Sequence, residues 1–539
     1  MRKTAITIAV CFFAAFVFAA DTPDLTMQTR IRQEGFRNSK VMDYAQQLTD
    51  VYGGRLTGSP NMKNASEWAR KTFEEMGLAN AHLEPFKFGK GWTAELCTVR
   101  MMTPEVEQLY GIAHAWSPAT NGAIRAKAVK VKLENDEDLE KQKGKLTGAI
   151  VLLGEAKEFK PQDKAALERY DEKELESLSE YAIPAARDAA RLREFGSRRA
   201  FRRKLAKFLM DEKVAAIIDG GQNMTDSGGS FRVQASGTWR DDEPIGIPAI
   251  GIAPEHYNRL ARLIDKKNDV ELEVNVQSTF YDQDLNSYNT IAELPGTDKK
   301  NEVVMLGAHL DSWHTGTGAT DNGAGSVVMM EAMRILKAIG VAPRRTIRVA
   351  LWAGEEEGLL GSRAYVADHF ASRPEPKDPA QRDLPAAMRT EKTYLTLKPE
   401  HAKLSGYFNV DNGTGKLRGI YAQDNAAIAP IFTQWLEPLH DLGATTVTMR
   451  NTGSTDHVPF DDVGLPGFQF IQDEIEYNTR THHTNWDTYE RLQREDLMQA
   501  AVVVATFVWE TANRNDLLPR KPMNPADLAP ATPAETKKK

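Results

Sequence analysis

Apolar strands alternate with helices from Asn289 onward, and this rhythm restricts the fold more than any other feature. The predicted strands cover residues 302–308, 346–352, 404–410 and 467–471, and the predicted helices cover 323–338, 359–370, 426–442 and 495–511. Strands that are apolar throughout are typical of a parallel sheet, because helices cover both of its faces. We therefore predict an α/β fold with a mostly parallel sheet flanked by helices on both faces.

Residues of the types that commonly bind metals follow each of these strands. The first strand leads to His309, the second to Glu355–Glu357, the third to Asp411 and the fourth to His482-His483. A histidine after a strand or a run of glutamates is a weak signal alone, since such residues are commonly solvated. In an open α/β sheet, however, ligands bind just outside the carboxyl ends of the strands. The convergence of these side chains at one edge predicts a site there.

A loop of small residues, Gly316–Gly325, surrounds a single carboxylate, Asp321. The loop lacks the Gly-Lys-Ser/Thr ending and the G-x-G-x-x-G order of phosphate-binding loops, so we exclude a nucleotide site. Imidazole and carboxylate ligands without thiolates are typical of Zn²⁺, with Mn²⁺ or Co²⁺ as substitutes.

In their order along the chain, these motifs resemble the co-catalytic zinc exopeptidases, which include bacterial leucyl-type aminopeptidases, glutamate carboxypeptidase and carboxypeptidase Q. The motifs are His309-x-Asp311, Thr320-Asp321-Asn322-Gly323-Ala324-Gly325, Glu355-Glu356-x-Gly358-Leu359-x-Gly361-Ser362, Asp411 and His483-Thr484-x-x-Asp487-Thr488. The likeness covers about residues 40–110 and 285–515 and includes Gly54–Ser59.

The resemblance implies two zinc ions per chain. The implied metal ligands are His309, Asp321 and Asp411 for one ion and Asp321, Glu356 and His483 for the other, with Asp321 shared. His482 competes with His483, but the spacing to Asp487-Thr488 favours His483.

The resemblance also implies roles for residues that do not bind metal. Glu355 is the expected general base and Asp311 the carboxylate that orients His309, and both are predicted as catalytic residues. Asp456 and His457 are predicted to contact the substrate. Asp487 is expected to support His483.

These roles predict a metallo-exopeptidase that hydrolyses short peptides with metal-activated water and Glu355 as the base. We favour an aminopeptidase, and a dipeptidase or carboxypeptidase similar to carboxypeptidase Q is the alternative. A receptor-like binding protein that has lost activity and a single-zinc cyclase or deacylase on the same fold are further alternatives. The complete ligand set argues against both.

We predict four parts in the chain. Residues 1–20 form a signal peptide, 21–112 and 285–518 form a discontinuous catalytic domain, 113–284 form an inserted, β-rich domain similar to the protease-associated domain with a charged helical insertion, and 519–539 form a disordered tail. The signal peptide rests on Arg2 and Lys3 before an apolar stretch, Ala5–Ala20; an uncleaved anchor is the alternative. Export places the protein in the periplasm or outside the cell.

The net charge of −7 argues against binding of nucleic acid, which requires an excess of basic residues. No later stretch approaches the ~20 apolar residues that span a bilayer, so we expect no stable membrane insertion after cleavage. The expected partner is therefore a short peptide or dipeptide substrate. The sequence leaves a homodimer open.

Overall fold

The computed structural model describes residues 22–523 and 527–528, apart from 160–161, 183–200, 222–228, 242, 379–380, 382–388 and 392. The predicted signal peptide lies outside the described residues. The strands are β1 (Ala79–Lys87), β2 (Gly91–Thr103), β3 (Glu107–Leu109), β4 (Gly111–Ala113), β5 (Ile124–Val131), β6 (Ile150–Leu153), β7 (Ala216–Asp219), β8 (Ala249–Ile252), β9 (Glu271–Tyr281), β10 (Asn286–Leu294), β11 (Lys299–His309), β12 (Arg345–Trp352), β13 (Ala371–Ser372), β14 (Thr396–Leu397), β15 (Leu404–Asn409), β16 (Leu417–Tyr421), β17 (Thr446–Thr448) and β18 (Gly467–Gln472).

The helices frame two large sheets. They are α1 (Leu25–Arg37), α2 (Val41–Gln46), α3 (Pro60–Glu75), α4 (Asp136–Gln142), α5 (Glu172–Ser179), α6 (Pro254–Asp265), α7 (Ala324–Ala338), α8 (Leu360–His369), α9 (Ala429–Leu436), α10 (Val458–Asp461) and α11 (Arg494–Asn513), and residues 201–211 are also helical. None of the described helices is both long and apolar enough to cross a membrane.

The first sheet has eight strands in the order β1-β10-β12-β11-β15-β18-β16-β17. Its centre, β12-β11-β15-β18, is parallel, whereas β1 and β10 on one side and the β16–β18 pair on the other add antiparallel neighbours. Successive residues of β11 point to opposite faces. Val304 and Leu306 pack with α7 and α11, and Met305 packs with α8 and α10. The predicted α/β fold with helices on both faces is therefore confirmed.

The second sheet also has eight strands, in the order β3-β2-β9-β5-β6-β7-β8-β4. Its predicted start at residue 113 is wrong. β2 pairs with β9 from Gly91 to Thr103, so the chain enters the second sheet about 20 residues earlier. The alternating side chains of β2 suit either sheet, and only its non-local pairing with β9 decides the boundary. The middle of the charged insertion, 183–200, lies outside the described residues.

The predicted disordered tail also begins too early. Residues 519–523 pack on the first sheet: Arg520 donates to the carbonyl oxygens of His401 and Leu404, and Lys521 Nζ lies 2.6 Å from Asp461. A guanidinium with two carbonyl partners orders this segment although its composition is typical of disorder. Residues 529–539 lie outside the described residues.

Helix α11 buries an acidic side chain against the N-terminal segment. Glu510 is only 7% exposed, and its Oε1 accepts hydrogen bonds from the Asp24 backbone N–H at 2.9 Å and from the Gln28 amide at 3.4 Å. Burial is the main cause that raises its pKa from 4.5 to about 7. The ionised form of Glu510 is therefore disfavoured in the folded state.

We expect Glu510→Gln to become more stabilising as pH rises. Because the folded pKa lies above the unfolded one, the wild type loses stability between about pH 4.5 and 7, whereas the glutamine keeps the acceptor and carries no charge. The variant should gain up to about 3 kcal/mol relative to the wild type across this range, measured by urea unfolding at several pH values. The exposed Glu495→Gln on the same helix is the control. A constant difference across the range would contradict the prediction.

Candidate metal centre

The central strands of the first sheet end at one edge. In the parallel register, His309 at the end of β11 pairs with Trp352 at the end of β12, and Gly307 pairs with Asn409 at the end of β15. The loops that follow these strands therefore begin side by side. This is the edge at which the sequence predicts ligands.

Asp321 lies between two histidines. Its Oδ1 is 3.4 Å from Nε2 of His309, and its Oδ2 is 3.2 Å from Nε2 of His483. Each carboxylate oxygen therefore faces a different imidazole. Asp321 is 4% exposed, so this arrangement is shielded from water. A carboxylate that turns one oxygen to each of two imidazoles has the geometry needed to bridge two metal ions.

The remaining predicted ligands divide the centre into two halves, one around His309 and one around His483. Asp411 Oδ1 lies 3.3 Å from Nε2 of His309, and Glu356 Oε2 lies 2.9 Å from Nε2 of His483. Glu355, the predicted base, approaches the first half, with Oε2 at 3.9 Å from His309 Nε2.

Two groups of three potential ligands stand out among the described residues, each with ligand atoms within 4.8 Å of one another. They are His309, Glu355 and Asp411, and Asp321, His482 and His483. His482 is the more distant histidine, since its Nε2 lies 3.8 Å from Asp321 and its Nδ1 faces Arg232 at 3.2 Å. The geometry supports His483 as the ligand.

Buried carboxylates repel one another at this edge. The pKa of Glu355 is raised well above its usual value by burial and by nearby Asp411, Asp456 and Glu356, against the opposing effect of His309. Burial and Asp321 likewise raise the pKa of Glu356 to about 7, although His483 opposes the rise. Removing this repulsion requires positive charge.

Contact between the histidines and the carboxylates favours the charged form of both. Burial disfavours the imidazolium of His483, but Glu356 and Asp321 outweigh burial and raise its pKa to about 10. The pKa of Asp321 falls well below its usual value, because His309 and His483 more than compensate its burial. The two imidazoles thus stabilise the negative charge of Asp321.

The donor atoms fit divalent cations. Asp321 Oδ2 and Glu356 Oε1 are buried and accept no hydrogen bond, and both belong to the predicted ligand set. Buried acceptors without partners are costly unless a ligand uses them. Nitrogen and carboxylate oxygen donors without sulfur suit zinc.

Asp487, which was expected to support His483, holds the segment that carries Asp321. Its Oδ1 accepts hydrogen bonds from Thr320 N at 2.6 Å and Thr320 Oγ1 at 2.8 Å, and its Oδ2 accepts one from Asp321 N at 3.1 Å. The peptide bond that follows, Asp321–Asn322, is cis. The backbone N–H groups of this turn face Asp487, so its carboxylate fixes the segment that carries Asp321.

Asp311 lies beside the outer nitrogen of His309, and its predicted role in orienting that ring stays a prediction. His309 Nδ1 faces the Asp311 backbone oxygen at 3.0 Å, whereas the carboxylate Oδ1 is farther away at 3.6 Å. The other carboxylate oxygen, Oδ2, accepts hydrogen bonds from Thr57 Oγ1 and Glu356 N. Asp311 therefore connects the end of β11 to the loops that carry Thr57 and Glu356.

Comparison with known proteins agrees with this geometry. Residues 289–508 match the sequence model of peptidase family M28. Carboxypeptidase Q of Mus musculus is 24% identical over 477 residues, which cover 88% of this chain and 86% of that protein.

These residues belong to peptidase family M28. The predicted zinc-exopeptidase family and the predicted enzyme class, a metallopeptidase, are confirmed by this membership.

Solved structures of two peptidases share the fold. A peptidase M28 precursor from Shewanella amazonensis SB2B has a TM-score of 0.67 at 24% identity, covering 92% of this chain and 99% of that one. BSAP, a zinc aminopeptidase from Bacillus subtilis, has a TM-score of 0.55 at 20% identity, covering 88% and 95%. Zinc, the metal named for BSAP, is the predicted metal.

An arginine for which no role was predicted supports the metal centre. Arg55 is fully buried, and its guanidinium donates to the carbonyl oxygens of Gly53, Leu310, Thr317 and Gly318 at 2.6–3.0 Å. It thereby fixes the end of β11 and the loop that leads to Asp321. The signal for it was the Gly54–Ser59 motif, although three of the four contacts join residues more than 250 positions apart.

Asp456 and His457 are completely buried in the M28 segment. Asp456 Oδ1 accepts a hydrogen bond from Ser362 Oγ, and His457 Nε2 faces the Thr452 carbonyl oxygen at 3.1 Å. Asp456 is close enough to Glu355 to raise the pKa of that carboxyl. Substrate contact by these two residues stays a prediction.

We expect Arg55→Lys to weaken both the fold and metal binding. A lysine cannot satisfy four carbonyl oxygens at once, so the free energy of unfolding should fall by about 2–4 kcal/mol. Zinc affinity, measured by competition with a chelator, should fall as well. Arg345→Lys is the matched control: Arg345 is equally buried and donates to the carbonyl oxygens of Thr511 and Arg514 near the opposite end of β12. It should lose stability alone. Unchanged affinity in Arg55→Lys would contradict the prediction.

Proposed function

We propose that this protein is an exported di-zinc exopeptidase that hydrolyses short peptides. The observation that carries the proposal is the placement of Asp321 between His309 and His483, with Glu355 beside them. Membership of peptidase family M28 supports the reaction class.

Each half of the centre would hold one ion. His309, Asp321 and Asp411 would bind the first, and Asp321, Glu356 and His483 the second. When bound, two zinc ions supply Lewis acidity, which lowers the pKa of a water molecule and stabilises negative charge on the substrate oxygen.

Glu355 would move the proton. Its carboxylate accepts a proton from the attacking water as the carbon–oxygen bond forms, and it returns that proton to the amine nitrogen as the carbon–nitrogen bond breaks. Its position fits this role, because Oε2 lies 3.9 Å from Nε2 of His309, beside the ion site but farther from this nitrogen than the oxygens of Asp321 and Asp411, at 3.4 and 3.3 Å. The main chain of Asp311 fixes the His309 ring, and the Asp311 carboxylate holds the loop of Glu356.

The share of the chain that aligns with each relative bears on which end of a peptide the enzyme acts on. Carboxypeptidase Q of Mus musculus aligns over 88% of this chain, including the second sheet, and this supports a similar enzyme that acts on dipeptides. An aminopeptidase is the second candidate, supported by the fold shared with the zinc aminopeptidase of Bacillus subtilis. The basic and apolar segment of residues 1–20 supports export.

We expect Glu355→Gln to bind two zinc ions and to lose activity. Glutamine has the same shape but accepts no proton, so the rate constant kcat should fall by about 10²–10⁴-fold. The measurements are zinc content per chain and kcat on a dipeptide. Normal turnover with both ions bound would refute the assignment of Glu355.

Glu357→Gln is the matched control for this variant. Glu357 is the next buried carboxyl in the same loop and belongs to neither group of ligands. It should retain most of the activity. A loss equal to that of Glu355→Gln would mean that any carboxyl in this loop is required for the fold.

Three substrate classes separate the candidate specificities. An enzyme similar to carboxypeptidase Q should hydrolyse free dipeptides and leave aminoacyl anilides intact, whereas rapid release of the anilide would favour the aminopeptidase. Hydrolysis of N-blocked dipeptides would show that a free amino end is unnecessary. If the zinc-loaded protein cleaves none of the three, the exopeptidase proposal is wrong.

A further inference from the structure

The segment 229–237 crosses from the second sheet to the loop that carries His483. The Phe231 backbone N–H donates to Asn485 Oδ1 at 3.0 Å, and Arg232 and Thr484 form an isolated β-bridge. Main-chain contacts thus fix the two segments side by side. They bring Gln234 to the metal centre, 249 positions before His483 in the chain.

The amide of Gln234 contacts the outer nitrogen of His483. Nε2 of Gln234 lies 3.1 Å from Nδ1 of His483, whose other nitrogen faces Glu356 and Asp321. A neutral imidazole that binds a metal through Nε2 carries its hydrogen on Nδ1 and needs an acceptor there. Rotation of the amide by 180° presents its oxygen to Nδ1 in place of the N–H.

The main chain of Gln234 is held from the second sheet. Its carbonyl oxygen accepts hydrogen bonds from Ala115 N and His114 Nδ1, both at 3.0 Å, and His114 Nε2 faces Asp219 Oδ2 at 2.8 Å. Both partners of His114 are acceptors, so both ring nitrogens donate. A continuous chain of contacts therefore runs from Asp219 through His114 and Gln234 to His483.

We propose that Gln234 is a positioning residue for the second metal ion, which it serves by orienting the ligand His483. The proposal rests on the proposed function, in which His483 binds zinc. It assigns the second sheet a direct part in the metal centre. His483 needs such support, because it lies on a loop and has a left-handed backbone with φ of 62°.

The test uses the full chain and measures zinc affinity by competition with a chelator. Gln234→Met keeps the length of the side chain but removes the amide, and we expect about 10–100-fold weaker binding of one of the two ions. Gln234→Glu supplies an acceptor and should restore wild-type or tighter binding. The absorption spectrum of the Co²⁺-loaded protein should change in Gln234→Met and return in Gln234→Glu.

Ser230→Ala is the matched control, because its hydroxyl contacts the Arg480 carbonyl oxygen in the same crossing segment without reaching a ligand. It should bind both ions as the wild type does. Should Gln234→Met not fold, Gln234→Asn carries the same test, since its shorter side chain withdraws the amide from Nδ1.

Three results would overturn the proposal: wild-type binding of both ions by Gln234→Met, equal weakening of both ions, or the same loss in Ser230→Ala. A wild-type chain that binds fewer than two zinc ions would overturn the proposed function together with this inference. A wild-type chain with two ions and an unaffected Gln234→Met would overturn this inference alone.

Discussion

Asp321 occupies the space between two imidazoles in a region where burial makes every carboxylate costly, and the surrounding structure is organised around that contact. Burial and neighbouring carboxylates raise the pKa values of Glu355 and Glu356, whereas contact with His309 and His483 lowers the pKa of Asp321. The guanidinium of Arg55, which is fully buried, donates to four carbonyl oxygens. The charge of the carboxylates is therefore left for cations bound at the centre.

The sequence was sufficient for the residues that follow strands. His309 and Asp411 come at or just after the ends of β11 and β15, so the parallel register places them together once the strands are recognised. His483 follows β18 on a long loop, and its place rested on a resemblance between motifs. Periodicity indicates where a strand ends, and the carboxyl edge of an α/β sheet then determines where its ligands meet.

Contacts between distant segments could not be predicted in the same way. The boundary of the second sheet was placed too late because β2 alternates like any half-buried strand, and only its pairing with β9 assigns it. The role of Asp487 was missed because two of its three partners are backbone N–H groups, which any residue type supplies. Gln234 lies in a segment without regular periodicity, so nothing in the sequence connected it with His483.

The two halves of the centre differ in what supports them. His309 and Asp411 stand at the ends of paired strands, so the hydrogen bonds of the first sheet fix that half. His483 stands on a loop that is held from outside this sheet. Arg169, which precedes α5 in the charged insertion, pairs with buried Asp473 just before the loop, and Thr479 in the loop donates to Ala166.

The crossing segment at Phe231 and Gln234 adds a second set of ties to the same loop. A left-handed residue such as His483 keeps its conformation only where many surrounding contacts hold it. The half of the centre at His483 therefore depends on the chain between β1 and β10. The segment between β1 and β10 is therefore part of the metal site. Its removal would leave the half of the centre at β11 and β15 in place and would free the loop that carries His483.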